Sequence, residues 1–83
     1  MPEKRQQVLV GVQQIIAELR SMRPDDIQES DDLLVDLGMD SLDIVEAVME
    51  VEDQFEISVP DPNSQPMRTV GEVTDGIMRL LPP

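Results

Sequence analysis

The chain has no cysteine, no histidine, no tryptophan and no tyrosine, and Phe55 is its one aromatic residue. Without cysteine there is no disulfide framework and no thiolate nucleophile, and without Cys or His there is no Cys/His zinc site. Without histidine no Ser-His-Asp triad can be assembled, and no imidazole shuttles protons near neutrality. Carboxylates, hydroxyls and six Lys or Arg are left to work with. These exclusions argue against autonomous catalysis. Long hydrophobic runs are also missing, since no stretch approaches the roughly 20 residues of a membrane span. Gln13 and Gln14 interrupt the apolar start at Val8-Leu9-Val10 before it could form a signal-peptide core. A cytoplasmic protein is expected.

Basic residues are scarce and segregated. Residues 1–23 carry Lys4, Arg5, Arg20 and Arg23 against Glu3 and Glu18, a net of +2. Residues 24–83 carry 16 acids against Arg68 and Arg79, a net of −14, and from Asp25 to Asp61 there are 14 acids and no base. The total of −12 argues against nucleic acid and anionic membranes as partners. Such a field raises encounter rates with a basic surface, although a charge run also serves simply as a solvated face. Eighty-three residues allow one small domain, spanning 1–83. With 40% hydrophobic residues it is rich enough for a compact helical fold and too rich for a disordered acidic tail.

Hydrophobic spacing predicts a first helix from about Glu3 to Met22, bounded by Pro2 and Pro24, with Val8, Val12, Ile15, Leu19 and Met22 on one face. A long acidic connection follows, with Ile27, Leu33, Leu34 and Leu37 as apolar anchors and Ser30 placed to cap a short turn. The second helix is expected over Ser41–Phe55, with Gly38 turning the chain, Asp40 as N-cap and Asp43 completing an acidic capping box. Residues 55–59 alternate briefly until Pro60. Asp61-Pro62 reads as the start of a very short third helix ended by Pro66. Thr69-Val70-Gly71-Glu72 forms a capping box for the last helix, whose apolar face is Val70, Val73, Ile77, Leu80 and Leu81. The predicted fold is all-α, a small bundle of three longer helices and one short one.

The second helix has two apolar stripes. Ile44, Ala47, Val48, Val51 and Phe55 gather on one side as a core stripe. Leu42, Val45 and Met49 fall opposite, among Asp43, Glu46, Glu50, Glu52 and Asp53. An acid-rimmed apolar stripe suits docking, and isolated surface apolar residues are also ordinary. If Asp40 caps, Ser41 sits in the first turn with its hydroxyl free, where amide dipoles favour a phosphate. Serine at a helix start is most often just a cap, and no base stands nearby to activate it. A chemical role for Ser41 therefore requires another protein to modify it.

The segment Asp36-Leu37-Gly38-Met39-Asp40-Ser41-Leu42-Asp43 resembles the phosphopantetheine attachment site of acyl carrier proteins. The resemblance continues through Val45-Glu46-Ala47-Val48-Met49, Phe55 to Asp61 and Thr69 to Val73, and in helix order it covers about residues 3–81. It implies a non-catalytic carrier to which a holo-synthase, a phosphopantetheinyl transferase, attaches 4′-phosphopantetheine from coenzyme A at Ser41. The arm supplies the thiol that the chain lacks and carries acyl groups as thioesters. Asp40, Asp43, Glu46, Glu50, Glu52 and Asp53 would form the family's acidic recognition face, with Leu42, Val45 and Met49 as its apolar contact. Partners would be acyl-transferring, ketosynthase-type or acyl-ligating enzymes with basic docking surfaces, and the carrier is expected to be a monomer. Six methionines, one aromatic and two glycines in the last helix suggest an adaptable interior that admits part of the acyl chain between the second and last helices. Met39 and the proline-rich 61–66 segment depart from the commonest fatty-acid carriers and leave fatty-acid, special-lipid and polyketide pathways open.

Two other readings stay open. An aminoacyl or peptidyl carrier would share the attachment chemistry and differ in how it is loaded. An unmodified acidic binding module, such as a calcium sensor, would leave Ser41 as an ordinary helix-start residue. An EF-hand loop starting at Asp32 fails, because Leu34 takes its third position and Gly38 falls seventh. A serine hydrolase fails for want of a general base.

Overall fold

A computed structural model describes residues 2–60 and 67–82 of the protein. Three α-helices, α1 (Pro2–Arg20), α2 (Ser41–Phe55) and α3 (Val70–Leu80), and a 3₁₀ turn at Pro24–Asp26 make up its regular structure. Among the described residues this is an all-α bundle, as the spacing predicts. The expected short helix at 61–66 lies outside the described residues. The 3₁₀ turn is an addition: Pro24 fixes φ at its first position, and the Asp26 and Ile27 amides donate back to Arg23 and Pro24 at 3.0 and 3.1 Å.

α1 supplies the spine of the core. Val8, Val12, Ile15 and Ile16 are buried along it, with Leu9 and Ala17 beside them. It stops at Arg20, two residues before the predicted end. Ser21 turns to φ 55°, and the Met22 amide donates to the Ala17 carbonyl at 2.9 Å, the geometry of a Schellman C-terminus. α2 ends the same way, with Glu56 at φ 54° and Ile57 donating to Glu52. Neither left-handed position is a glycine, so neither stop is marked in the sequence. Met22 and Ile57 then pack on the core, which secures both stops.

Helix α1 packs more extensively on α3 than on α2, and α2 and α3 scarcely approach each other. Where α1 meets the end of α2, Gly11 allows the approach: a Cβ there would lie 2.8 Å from both Phe55 Cζ and Gln54 Nε2. The chain's sole aromatic ring thus seats on a bare stretch of helix backbone. Between the more distant parts of the helices an apolar cavity of about 70 Å³ remains, lined on the α2 side by Ile44, Ala47 and Val51 and on the α3 side by Val73, Ile77 and Leu80.

The long connection from α1 to α2 is fastened at both ends. Gln13 Nε2 donates to the Ile27 carbonyl at 2.8 Å, and Ile27, Leu33, Leu37 and Met39 are buried. Leu33, Val70 and Gly71 amides bond to Arg68, Asp31 and Glu29 carbonyls, so the start of α3 is stitched to this connection through a single antiparallel bridge at Asp32 and Thr69. Arg5 of α1 reaches both Glu29 in the connection and Asp75 of α3, tying the three segments together. Leu34 departs from the expected set of anchors, since its side chain is 58% exposed. The turn is capped by Asp32, whose Oδ1 accepts from the Leu34 and Val35 amides, and not by Ser30.

A left-handed Glu56 costs about 1–2 kcal/mol that glycine does not incur, and its carboxylate sits at the negative end of α2. Glu56→Gly is therefore expected to raise stability by about 1 kcal/mol. Urea unfolding followed by circular dichroism reads this as a higher midpoint; an unchanged or lower one would contradict the helix-stop assignment.

Candidate functional site

The start of α2 is built by three neighbours of Ser41. Gly38 takes φ 67°, which bends the chain, and Met39 is buried beneath the turn at 3% exposure. Asp40 adopts extended backbone as N-cap; its Oδ1 accepts the Asp43 amide at 2.9 Å, and Asp43 Oδ2 accepts the Asp40 amide at 3.2 Å. The cap is therefore complete without Ser41, which occupies the first helical position and is exposed. Its hydroxyl is at the positive end of a 15-residue helix, where backbone amides and dipole favour an attached phosphate.

Arg20 holds this arrangement from α1. Its Nε donates to the Leu37 carbonyl at 3.1 Å and its Nη1 to Asp43 Oδ2 at 3.3 Å. The guanidinium thus braces the turn before Ser41 and offsets one charge of the capping pair. Sequence reasoning treats Arg20 only as part of a basic N-terminal segment, because a contact across 23 residues leaves no local pattern.

Along α2, Leu42, Val45 and Met49 are 65%, 50% and 62% exposed, with Glu46, Glu50 and Asp53 exposed around them. Two acids grouped with that face are engaged inside the chain. Asp43 is half-buried in the capping box, and Glu52 Oε2 accepts the Val59 amide at 2.8 Å, fixing the segment after α2. On the inner side Val51 is buried, while Ile44, Ala47, Val48 and Phe55 are only half-buried. The inner stripe faces the apolar cavity, which Met39, Val59 and Met67 also line. Among the described residues no group of three or more acids converges to hold a metal ion, and no helix is long and apolar enough to cross a membrane.

Asp32, at the turn preceding the site, is held below the usual carboxylate range. The Val35 amide bond contributes most, with the Leu34 amide and Arg68 adding to it against a partial desolvation.

This geometry, a short helical bundle with a free serine at the capped start of an acidic second helix, defines a carrier-type domain. The family model for the phosphopantetheine attachment site matches residues 11–77. An acyl carrier protein of Exiguobacterium sibiricum is 40% identical over 73 residues, covering 88% of this chain and 92% of that protein. The acyl carrier protein of a Sulfurovum species is 39% identical over 61 residues, covering 74% and 81%. The meromycolate extension acyl carrier protein of Mycobacterium bovis is 32% identical over 80 residues, covering 96% of this chain and 70% of that one. In fold, the chain matches the apo doublet acyl carrier protein from prodigiosin biosynthesis with a TM-score of 0.81 at 23% identity, over 95% of this chain and 38% of that longer one. The chain belongs to the acyl carrier protein family, the carriers of phosphopantetheine.

The Asp32 carboxylate stabilises the turn fully above its unfolded pKa, about 3.9, and this contribution is lost as pH falls through the lower folded value. A carboxyl NMR titration should place the Asp32 midpoint below 3.9, with the Leu34 and Val35 amides shifting in parallel. A midpoint at or above the free value would contradict the hydrogen-bonded turn.

Proposed function

We propose that the protein is a non-catalytic cytoplasmic carrier whose 4′-phosphopantetheine arm is attached at Ser41. The observation that carries this reading is the division of labour at the start of α2: Asp40 and Asp43 satisfy the helix end, so the Ser41 hydroxyl is spare and exposed. In the attachment step Ser41 Oγ displaces the nucleotide half of coenzyme A at phosphorus. The proton leaves with a base on the phosphopantetheinyl transferase, since this chain has no histidine to take it. The resulting phosphodiester lies at the amide end of α2, and the arm's thiol then carries acyl groups as thioesters.

Leu42, Val45 and Met49 supply apolar contact for enzymes that load and use the arm, inside a rim of Asp40, Glu46, Glu50 and Asp53. Asp43 and Glu52 add charge to that rim while holding their intramolecular bonds. Rim charges steer association and leave complexes weak enough to dissociate, which a shuttle between enzymes requires. The cavity between α2 and α3 accepts part of the acyl chain. At about 70 Å³ it holds on the order of two water-sized groups, so a longer chain enters by moving α2 away from α3. The breadth of carrier relatives, from general to meromycolate-extension proteins, supports acyl cargo over aminoacyl cargo.

Incubation with coenzyme A and a purified phosphopantetheinyl transferase, followed by intact-mass measurement, should add a single phosphopantetheine increment to the wild-type chain and none to Ser41→Ala. Because Ser41 is exposed and outside the cap, the variant should retain its helical spectrum. An increment on Ser41→Ala, or none on the folded wild type, would contradict the proposal.

A further inference from the structure

Five of the exposed large apolar side chains among the described residues lie between positions 34 and 49: Leu34, Val35, Leu42, Val45 and Met49. The last three belong to the α2 face. Leu34 and Val35 do not, and Val35, at 78%, is the most exposed large apolar residue described. They sit on a fixed turn. Asp32 Oδ1 accepts both their amides at 2.9 Å, and Asp36 Oδ2 accepts the Asp32 amide at 2.7 Å. The Asp36 and Leu37 amides close on the Asp32 carbonyl at 3.0 Å. Arg68 holds Asp32 from outside the turn, while Leu33 and Leu37 anchor it in the core at 5% and 6% exposure. The same hydrogen bonds that bury Leu33 and Leu37 thus hold the intervening apolar pair in water. The turn also lies beside the start of α2, because the Met39 amide donates to the Leu33 carbonyl at 2.9 Å.

We propose that the Leu34-Val35 turn is a second docking element, bound by an apolar recess flanked by Lys or Arg on the transferase that modifies Ser41. This rests on the reading of Ser41 as the attachment site. Charge selects the occupant. The turn is edged by Asp31, Asp32 and Asp36, within a stretch of 14 acids and no base. A second copy of the chain, also at net −12, would set like charge against like. Position selects the enzyme. A protein that must bring its reacting groups to Ser41 Oγ has to cover the first turn of α2 and the segment hydrogen-bonded beside it. One that acts on the thiol at the far end of a flexible arm can stand off, and is free to rely on Leu42, Val45 and Met49.

The test is steady-state kinetics of phosphopantetheine transfer from coenzyme A by a purified transferase, using the double variant Leu34→Ser with Val35→Ser. Both side chains are exposed and the turn is held by its backbone and by Asp32, so helical signal and melting temperature should be retained. Loss of two apolar anchors from the contact is expected to lower kcat/KM about tenfold or more, carried by KM with kcat unchanged. Val10→Ser, at an exposed position of α1 away from the site, should behave as wild type. If the double variant loses structure, Val35→Ser alone repeats the test with a loss of about threefold. Wild-type KM in a folded turn variant would overturn this inference and leave Ser41 as the attachment site. An equal loss in Val10→Ser would overturn it as well, by making the effect one of general surface apolarity. Failure of the transferase to modify the wild-type chain would instead overturn the reading on which it rests.

Discussion

Asp40 and Asp43 exchange two hydrogen bonds at the start of α2, and the position of Ser41 depends on that exchange. A helix end has several unpaired amides, and serine is a natural residue to satisfy one of them. Had Ser41 been the cap, its oxygen would be committed to the backbone. With the cap one residue earlier, the serine is placed by the helix and left unbonded by it. Arg20 makes the arrangement tertiary by bonding both the Leu37 carbonyl and Asp43, which ties the turn and the cap to α1. The segment that carries both carboxylates has no base of its own, so this cation comes from α1.

The other end of the design is loose. α2 presents half-buried Ile44, Ala47 and Val48 to a cavity and has Val51 as its one fully buried residue. Near its C-terminus it meets α1 closely, where Phe55 rests against Gly11. Unfilled apolar volume reduces stability, by roughly 24 cal/mol per Å³ in well-studied cores, and a chain of this size has little to spare. A cavity retained under that pressure, and edged by adaptable Met39 and Met67, suits a domain that takes in part of its cargo. The outer face is separate in kind: Leu42, Val45 and Met49 stand exposed within a rim of Asp40, Glu46, Glu50 and Asp53.

What was legible in the sequence follows from how local the causes are. The starts of α2 and of α3 were readable because Gly38, Asp40, Asp43, Thr69 and Glu72 act on their immediate neighbours. The outward stripe at Leu42, Val45 and Met49 followed from helical periodicity alone. The end of α1 was misplaced by two residues because Ser21 adopts a conformation that glycine usually marks, held there by Met22 packing on the core. Leu34 looked like an anchor because composition cannot say which of two adjacent leucines a turn faces inward; Asp32 decides that through its amide bonds. Glu52 reads as a surface acid in the sequence, whereas in the structure it accepts the Val59 amide, and the seat that Gly11 offers Phe55 has no local signal at all. Each of these is fixed by a partner elsewhere in the chain or by a turn that periodicity does not describe.

Methyl NMR distinguishes a fixed start of α2 from an inner side that yields to the acyl chain. The holo protein should be compared with the same protein carrying a long acyl chain on its arm. Shifts are expected to concentrate at the Ile44, Ala47, Val51 and Ile77 methyls that line the cavity, while amide exchange at Asp43, protected by its bond to Asp40, stays unchanged. Core methyl spectra that do not change on acylation, or changes confined to the capping residues, would contradict the account.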